Sequence, residues 1–160
     1  MNRSEKSPEF ERAKSDAFRL LKYRSRAEKE IFKRLKEKGY PFQVITEVVA
    51  WLKEHGFVDD EMFAWLYAYD ALKVHFKGPY RIERELLSLG ISKEIVTKTL
   101  SRLKDEIDIT SVLKAYLERV RFDIDDSSAI EKLKAKLYRR GFASSMIDAT
   151  LREILNSHET

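Results

Sequence analysis

The sequence predicts an all-α protein built from three tandem three-helix repeats, helix-turn-helix-like, in an elongated array. Three observations predict it. Apolar residues recur at three- and four-residue spacing along most of the chain, and no stretch alternates with period two for long, so helices are expected and strands are not. Five Gly and three Pro interrupt 160 residues that are 43% hydrophobic and 36% charged, a composition typical of helical proteins. The third observation is a frame: Leu35-x-x-x-Gly39-Tyr40-x-x-x-Val44-Ile45 returns 51 residues later as Leu86-x-x-x-Gly90-Ile91-x-x-x-Ile95-Val96. After another 51 it is Leu137-x-x-x-Gly141-Phe142-x-x-x-Met146-Ile147. The frame reaches back to Ala13, Ala64 and Ala115, to Phe18, Tyr69 and Val120, and to Ile31, Ile82 and Leu133, and forward to Leu52, Leu103 and Ile154. Repeating units of this size bury their flanks against their neighbours. The expected organisation is a disordered tail over 1–9 and repeats over 10–58, 59–108 and 109–156.

In order along the chain, Ala13, Ala17, Leu20 and Leu21 mark a first helix from Phe10 onward. Ser25-x-x-Glu28 reads as a capping box for a second helix running to Lys38. Gly39-Tyr40-Pro41 turns the chain into a third, whose buried stripe is Val44, Ile45, Val48, Val49 and Leu52 and whose end is His55-Gly56. Asp59 is placed to cap a fourth helix to about Val74, with Asp60 and Glu61 favourable at the positive end of its dipole. Pro79 suits the first position of a fifth, because its missing N–H would be unpaired there anyway, and Gly90 closes it as a left-handed cap. The frame places the remaining helices, and Asp125, Asp126 and the box Ser128-x-x-Glu131 start the second helix of the last repeat.

Several function classes are excluded or weakened. Without cysteine there are neither disulfides nor thiolate metal sites. No apolar run approaches the roughly 18 residues of a membrane span, and the first residues lack the apolar core of an export signal, so a cytoplasmic location is expected. The excess of Lys, Arg and Glu over Gln and Asn is the bias of proteins from hot environments. His55, His75 and His158 have no partner at i, i+4 spacing, and Asp123-x-Asp125-x-Ser127 has Ser128 and Lys134 where a calcium loop needs Gly and Glu. Neither a Gly-rich phosphate loop nor a nucleophile elbow occurs, so the reading is non-enzymatic, with no metal and no cofactor.

Charge distribution is more informative than the net +4. From Arg19 to Lys38 there are nine basic residues against three acids, whereas 61–108 hold eight of each sign. Lys132, Lys134, Lys136, Arg139 and Arg140 form a second cluster beside Glu131. Arg26, Lys29, Lys33 and Lys36 share one face of the second helix, opposite Ile31 and Leu35. Lys77, Arg81 and Arg84 supply a shorter stripe in the middle repeat, and Lys132, Lys136 and Arg139 another in the last. Solvated helix surface and binding face are about equally weighted readings of these stripes. Base-specific DNA reading is disfavoured, since the outward positions Gln43, Thr46, Glu47, Ala50 and Glu54 are poor in the side chains that read base edges. Among the aromatics Trp65, Tyr67 and Tyr80, Trp65 aligns with Lys14 and Tyr116, positions of mixed polarity, so it is read as core or inter-repeat packing ahead of a part-exposed interface anchor, and Trp51, aligned with Arg102 and Glu153, is ambiguous in the same way.

Gly56-Phe57-Val58-Asp59-Asp60-x-x-Phe63-Ala64, followed by Lys77-Gly78-Pro79-x-Arg81-Ile82-x-x-Glu85-Leu86-x-x-x-Gly90-Ile91, resembles the central signature of the RecX family, regulators of the RecA recombinase. Arg24-Ser25-Arg26-Ala27-Glu28-x-Glu30-Ile31 and Leu137-Tyr138-Arg139-Arg140-Gly141-Phe142 resemble the family's flanking repeats. In the helix after Phe63-Ala64, where family members usually carry arginine, this chain reads Ala68-Tyr69-Asp70-Ala71. The resemblance implies a monomeric regulator that binds a RecA-type recombinase filament on DNA along its groove and inhibits its ATPase and strand exchange. Contact with single- or double-stranded DNA would be weak and non-specific. Arg26, Lys29, Lys33, Lys77, Arg81, Arg84, Lys132, Lys136 and Arg139 are the residues expected at that interface. A DNA binder acting without the recombinase, and a helical scaffold for another acidic partner, remain as alternatives.

Overall fold

The structure, a computed structural model, describes residues 7–158. Among them are nine α-helices and no strand: α1 Pro8–Tyr23, α2 Glu28–Glu37, α3 Phe42–Glu54, α4 Asp60–Lys73, α5 Pro79–Ser88, α6 Lys93–Glu106, α7 Ile109–Arg119, α8 Ser127–Arg139 and α9 Ser144–His158. The helices follow the 51-residue frame closely: α2 and α5 begin 51 residues apart, as do α3, α6 and α9. α7 is the exception, stopping at Arg119 where α1 and α4 continue to Tyr23 and Lys73. Val120 is extended there, and Asp123 and Asp126 divert backbone donors to their side chains, Asp123 Oδ1 accepting from Asp125 N–H at 3.0 Å.

What repeats most faithfully is the turn after the short second helix. Gly39, Gly90 and Gly141 all have left-handed backbones, φ 92°, 87° and 100°. In each copy the glycine N–H donates three residues back, to Lys36, Leu87 or Tyr138, and the next N–H donates five back, to Leu35, Leu86 or Leu137. This paired closure is a Schellman motif, which satisfies two carbonyls that a helix end otherwise leaves unpaired.

The helix starts correct three expectations. Ser7 caps α1, its Oγ accepting from Phe10 N–H at 3.0 Å, with Pro8 in the first turn, so 7–9 are ordered by capping; the rest of the expected tail, 1–6, lies outside the described residues. Ser25 does not cap α2. Its N-cap position is Ala27, and the Glu28 N–H donates instead to Asp60 Oδ1 at 2.8 Å. Asp126, not Ser128, caps α8, accepting from the N–H groups of Ser128 and Ala129. Asp59 does cap α4, taking the Met62 N–H at 3.0 Å.

Contacts divide the chain into two compact units, Met1–Ala64 with Leu86–Ile95, and Trp65–Glu85 with Val96–Thr160. Their limits differ from the repeat boundaries at 58 and 108, because the second repeat contributes to both units. In the first unit α1, α2 and α3 pack on one another around Phe10, Ala13, Ala17, Ile31, Leu35, Ile45, Val48 and Leu52. In the second, α9 packs on α7 and α8, and Leu72, Ile82, Leu103, Leu113, Leu137 and Phe142 are fully enclosed.

Each unit holds one docking of a glycine turn on the start of the short helix one repeat earlier. In the first, a Cβ on Gly90 would lie 2.6 Å from Lys29 Cδ and 2.8 Å from its Cβ, so the Lys29 stem covers the turn. In the second the approach is backbone on backbone: a Cβ on Gly78 would lie 2.3 Å from the Gly141 carbonyl carbon. Gly78 N–H donates to Arg140 O at 2.7 Å and Tyr80 N–H to Gly141 O at 3.0 Å, so the free donors at the start of α5 satisfy the free acceptors at the end of α8.

The two tryptophans resolve each other. Lys14 Nζ sits 4.5 Å from the centroid of Trp51, and the Arg102 guanidinium 3.8 Å from that of Trp65. In the 51-residue frame Lys14 corresponds to Trp65 and Trp51 to Arg102. One cation–π pair thus occurs twice with its partners exchanged between the first and third helix, worth about 0.5–2 kcal/mol in each repeat.

Candidate functional site

The nine cations fall into two groups, divided by what each touches. Arg26 is buried, only 8% exposed. Its Nε donates to Leu20 O at 3.0 Å and its Nη1 to Glu30 Oε1 at 2.7 Å, while Arg24 Nη2 reaches the same oxygen at 2.5 Å. Burial alone would push the Glu30 carboxyl up, but the hydrogen bonds from Arg24 and Arg26 outweigh it and hold the group below the ordinary carboxylate range. Arg26 therefore ties α2 to the end of α1 and is withdrawn from the surface.

Lys77 stands at the corresponding position of the second repeat and has the same kind of role. Glu85 accepts from Lys77 Nζ at 2.9 Å, from Arg81 Nε at 3.1 Å and from the Tyr67 hydroxyl at 2.6 Å. Burial raises the Glu85 carboxyl, and the three donors overcome it and lower its pKa. Tyr67, desolvated and bonded to a carboxylate, is pushed up to about 12. Two cations on one carboxylate leave a residual positive charge, but Lys77 and Arg81 are held by the fold. Arg140 is likewise engaged: Nε donates to Phe76 O at 3.0 Å and Nη2 to His75 O. This clamps Phe76 in a left-handed conformation, φ 52°, that a bulky residue rarely adopts.

Lys29, Lys33, Arg84, Lys132, Lys136 and Arg139 are exposed and have no ion-pair partner among the described residues. Lys33 and Arg84 occupy one position of the frame, so a free cation recurs on corresponding faces of α2 and α5. On α8 the stripe is turned. Lys29 and Lys33 correspond to Glu131 and Ala135, and the cations come one residue later, about 100° round the helix. Asp70 and Ala71 fall outside the set: Ala71 is buried, and exposed Asp70 lies 3.3 Å from His75 Nε2.

Sequence reasoning missed Tyr138. Tyr80 and Tyr138 are 60% and 63% exposed and line one groove of about 710 Å³ within the second unit, together with Glu83, Arg84, Ala143, Ser144 and Ser145. The frame pairs Tyr80 with Lys29 and Tyr138 with Lys36, both exposed polar positions, and that polarity was the available signal.

Tandem helical units with free cations and exposed aromatics on helix faces define the class of all-α repeat proteins. The comparisons with known proteins specify which kind. A family model described as RecX, first three-helix domain, matches residues 13–61. The chain is 34% identical over 143 residues to the regulatory protein RecX of Thermotoga sp. strain RQ2, covering 89% of this chain and 84% of that one. With the RecX of Geobacillus kaustophilus it shares 32% identity over 145 residues, 89% of this chain and 54% of the longer relative. The crystal structure of RecX from Lactobacillus salivarius superposes with a TM-score of 0.74 at 21% identity, over 91% of this chain and 96% of that one. The chain belongs to the RecX family of regulatory proteins.

Proposed function

We propose that this protein binds the groove of a RecA-type recombinase filament on DNA and inhibits its ATPase and strand exchange. Membership in a family of regulators supports the class of function. The observation that carries the physical reading is that six of the nine expected interface cations, Lys29, Lys33, Arg84, Lys132, Lys136 and Arg139, are exposed over three helices without an ion-pair partner among the described residues. A filament presents repeated acidic and phosphate surfaces, so several weak contacts made by one chain reinforce one another through effective concentration. Such binding is salt-sensitive, and it is tighter for filament than for free subunits.

The test is recombinase ATPase on single-stranded DNA, titrated with this protein. Inhibition that saturates with filament concentration is the expected result. Replacing Lys132, Lys136 and Arg139 by glutamate should raise the half-inhibitory concentration at least tenfold with the helical circular dichroism unchanged. Unaltered ATPase at every concentration of the parent protein would overturn the reading.

A further inference from the structure

We propose that the groove between α5 and the α8–α9 turn is a subsite for single-stranded DNA, in which bases stack on Tyr80 and Tyr138 while Arg84 takes a flanking phosphate. This deepens the reading above by naming the ligand of one surface, and it rests on that reading only for the presence of DNA at the filament. Two large aromatic side chains more than half exposed on one groove are costly to leave in water, and neither is placed there by the packing of the core. The groove volume, about 710 Å³, is within the roughly 300–1,000 Å³ of small-ligand sites.

The lining chemistry selects the occupant. Every base offers a π-face, so phenol rings bind single strands with little regard to sequence. Arg84 is exposed and unpaired among the described residues, which suits a phosphodiester backbone, and the Ser144 and Ser145 hydroxyls can donate to phosphate or to base carbonyls. Glu83 on the same wall repels phosphate. It therefore assigns the backbone to the Arg84 side and leaves base edges, which can donate to a carboxylate through an amino group or, in thymine, through the ring N3–H, facing Glu83. A duplex keeps its base faces stacked inside and has nothing to give the tyrosines, so the groove discriminates single from double strands.

The experiment is fluorescence anisotropy of a short labelled oligothymidylate with the full chain at low salt, in the absence of recombinase. Tyr80→Ala with Tyr138→Ala should weaken binding about 100-fold, on the order of tenfold for each tyrosine. Tyr80→Phe with Tyr138→Phe should stay within about twofold, because the ring face survives. An abasic oligomer of equal length should bind the parent as weakly as oligothymidylate binds the double alanine variant. Equal binding of abasic and normal oligomers by the parent, no binding by the parent, or undiminished binding by the alanine variant would each overturn the subsite. If the alanine variant keeps oligonucleotide affinity but no longer inhibits recombinase, the groove contacts protein; this inference fails and the proposed function stands. Oligonucleotide binding lost in the alanine variant of a parent that never affects recombinase would instead sustain the subsite and overturn the proposed function.

Discussion

At the scale of single residues, the positions that look alike in sequence differ in what surrounds them. Gly39 has a left-handed backbone and open space where a Cβ would go, so Gly39→Ala meets only the conformational penalty, about 1–2 kcal/mol. Gly78 has no unusual φ, yet a Cβ there would overlap the backbone of Gly141 and Phe142 at 2.3–2.5 Å. Gly78→Ala must push the two backbone segments apart and lose the hydrogen bonds to Arg140 O and Gly141 O. The expected cost is about 3 kcal/mol or more, and urea unfolding of the two variants should rank them in that order. The sequence showed that a Gly-Pro pair opens a helix, but it could not show that the glycine is required by another turn 63 residues away. The surroundings of a charge are hidden for a similar reason. Arg26 and Lys77 lie on the faces predicted for binding, and only the positions of Glu30 and Glu85 reveal that fold contacts occupy them. The pH consequence has a definite sign. Glu30 and Glu85 have folded-state pKa values below their ordinary ones, so the stability they contribute is complete above about pH 5 and is lost as pH falls through the lowered values. Thermal unfolding followed from pH 6 to pH 3 should show Glu85→Gln losing less stability on acidification than the parent protein.

At the scale of elements, starts and stops were legible where the signal is local. Asp59 caps α4, Pro79 opens α5, and glycines close α2, α5 and α8, all within four residues of the helix they serve. The start of α2 was not legible, because its cap comes from Asp60, 32 residues further along the chain. Asp60 is half-buried, and burial pushes its carboxyl up against the opposing hydrogen bond from Glu28. A raised acid has the opposite linkage to Glu85: its charge costs stability as pH rises through the raised pKa. Asp60→Asn keeps an acceptor oxygen for the Glu28 N–H and removes the desolvated charge, so its stability at pH 7 should equal or exceed that of the parent. Asp60→Ala removes the acceptor and should cost about 0.5–2 kcal/mol. Chemical denaturation of the two variants side by side checks the pair, and equal losses would show that charge, not capping, is what Asp60 supplies. The exchanged cation–π pairs are the other element-scale lesson. Positions 14 and 65, or 51 and 102, look unconstrained when aligned column by column, since what is kept is the pairing of a cation with an indole and not the identity at either position.

At the scale of the whole molecule, the frame of 51 residues determined the helix order and the three turns, and it held through α9. Its weakness was charge, which obeys no packing constraint and therefore drifts: the stripe on α8 is one residue out of step with that on α2. A single continuous basic face is thus not what the repeats encode. Of the cations expected at the interface, two local patches, Lys29 with Lys33 on α2 in the first unit and Lys132, Lys136 and Arg139 on α8 in the second, are exposed without an ion-pair partner among the described residues. If both engage one filament, neutralising each patch weakens binding by its own factor, and neutralising both weakens it by the product, because the sites share no side chain and their free energies add. The salt dependence should fall in step: each cation that has held a phosphate of single-stranded DNA contributes a slope of about −0.7 in log affinity against log salt. Replacing the five residues by glutamine, patch by patch, and titrating filament with the parent and the three variants at two salt concentrations gives eight affinities and four slopes. Multiplicative losses with stepwise shallower slopes are expected. A double variant no weaker than its weaker parent would mean that one patch alone meets the filament, and unchanged slopes would mean that the cations meet something other than phosphate.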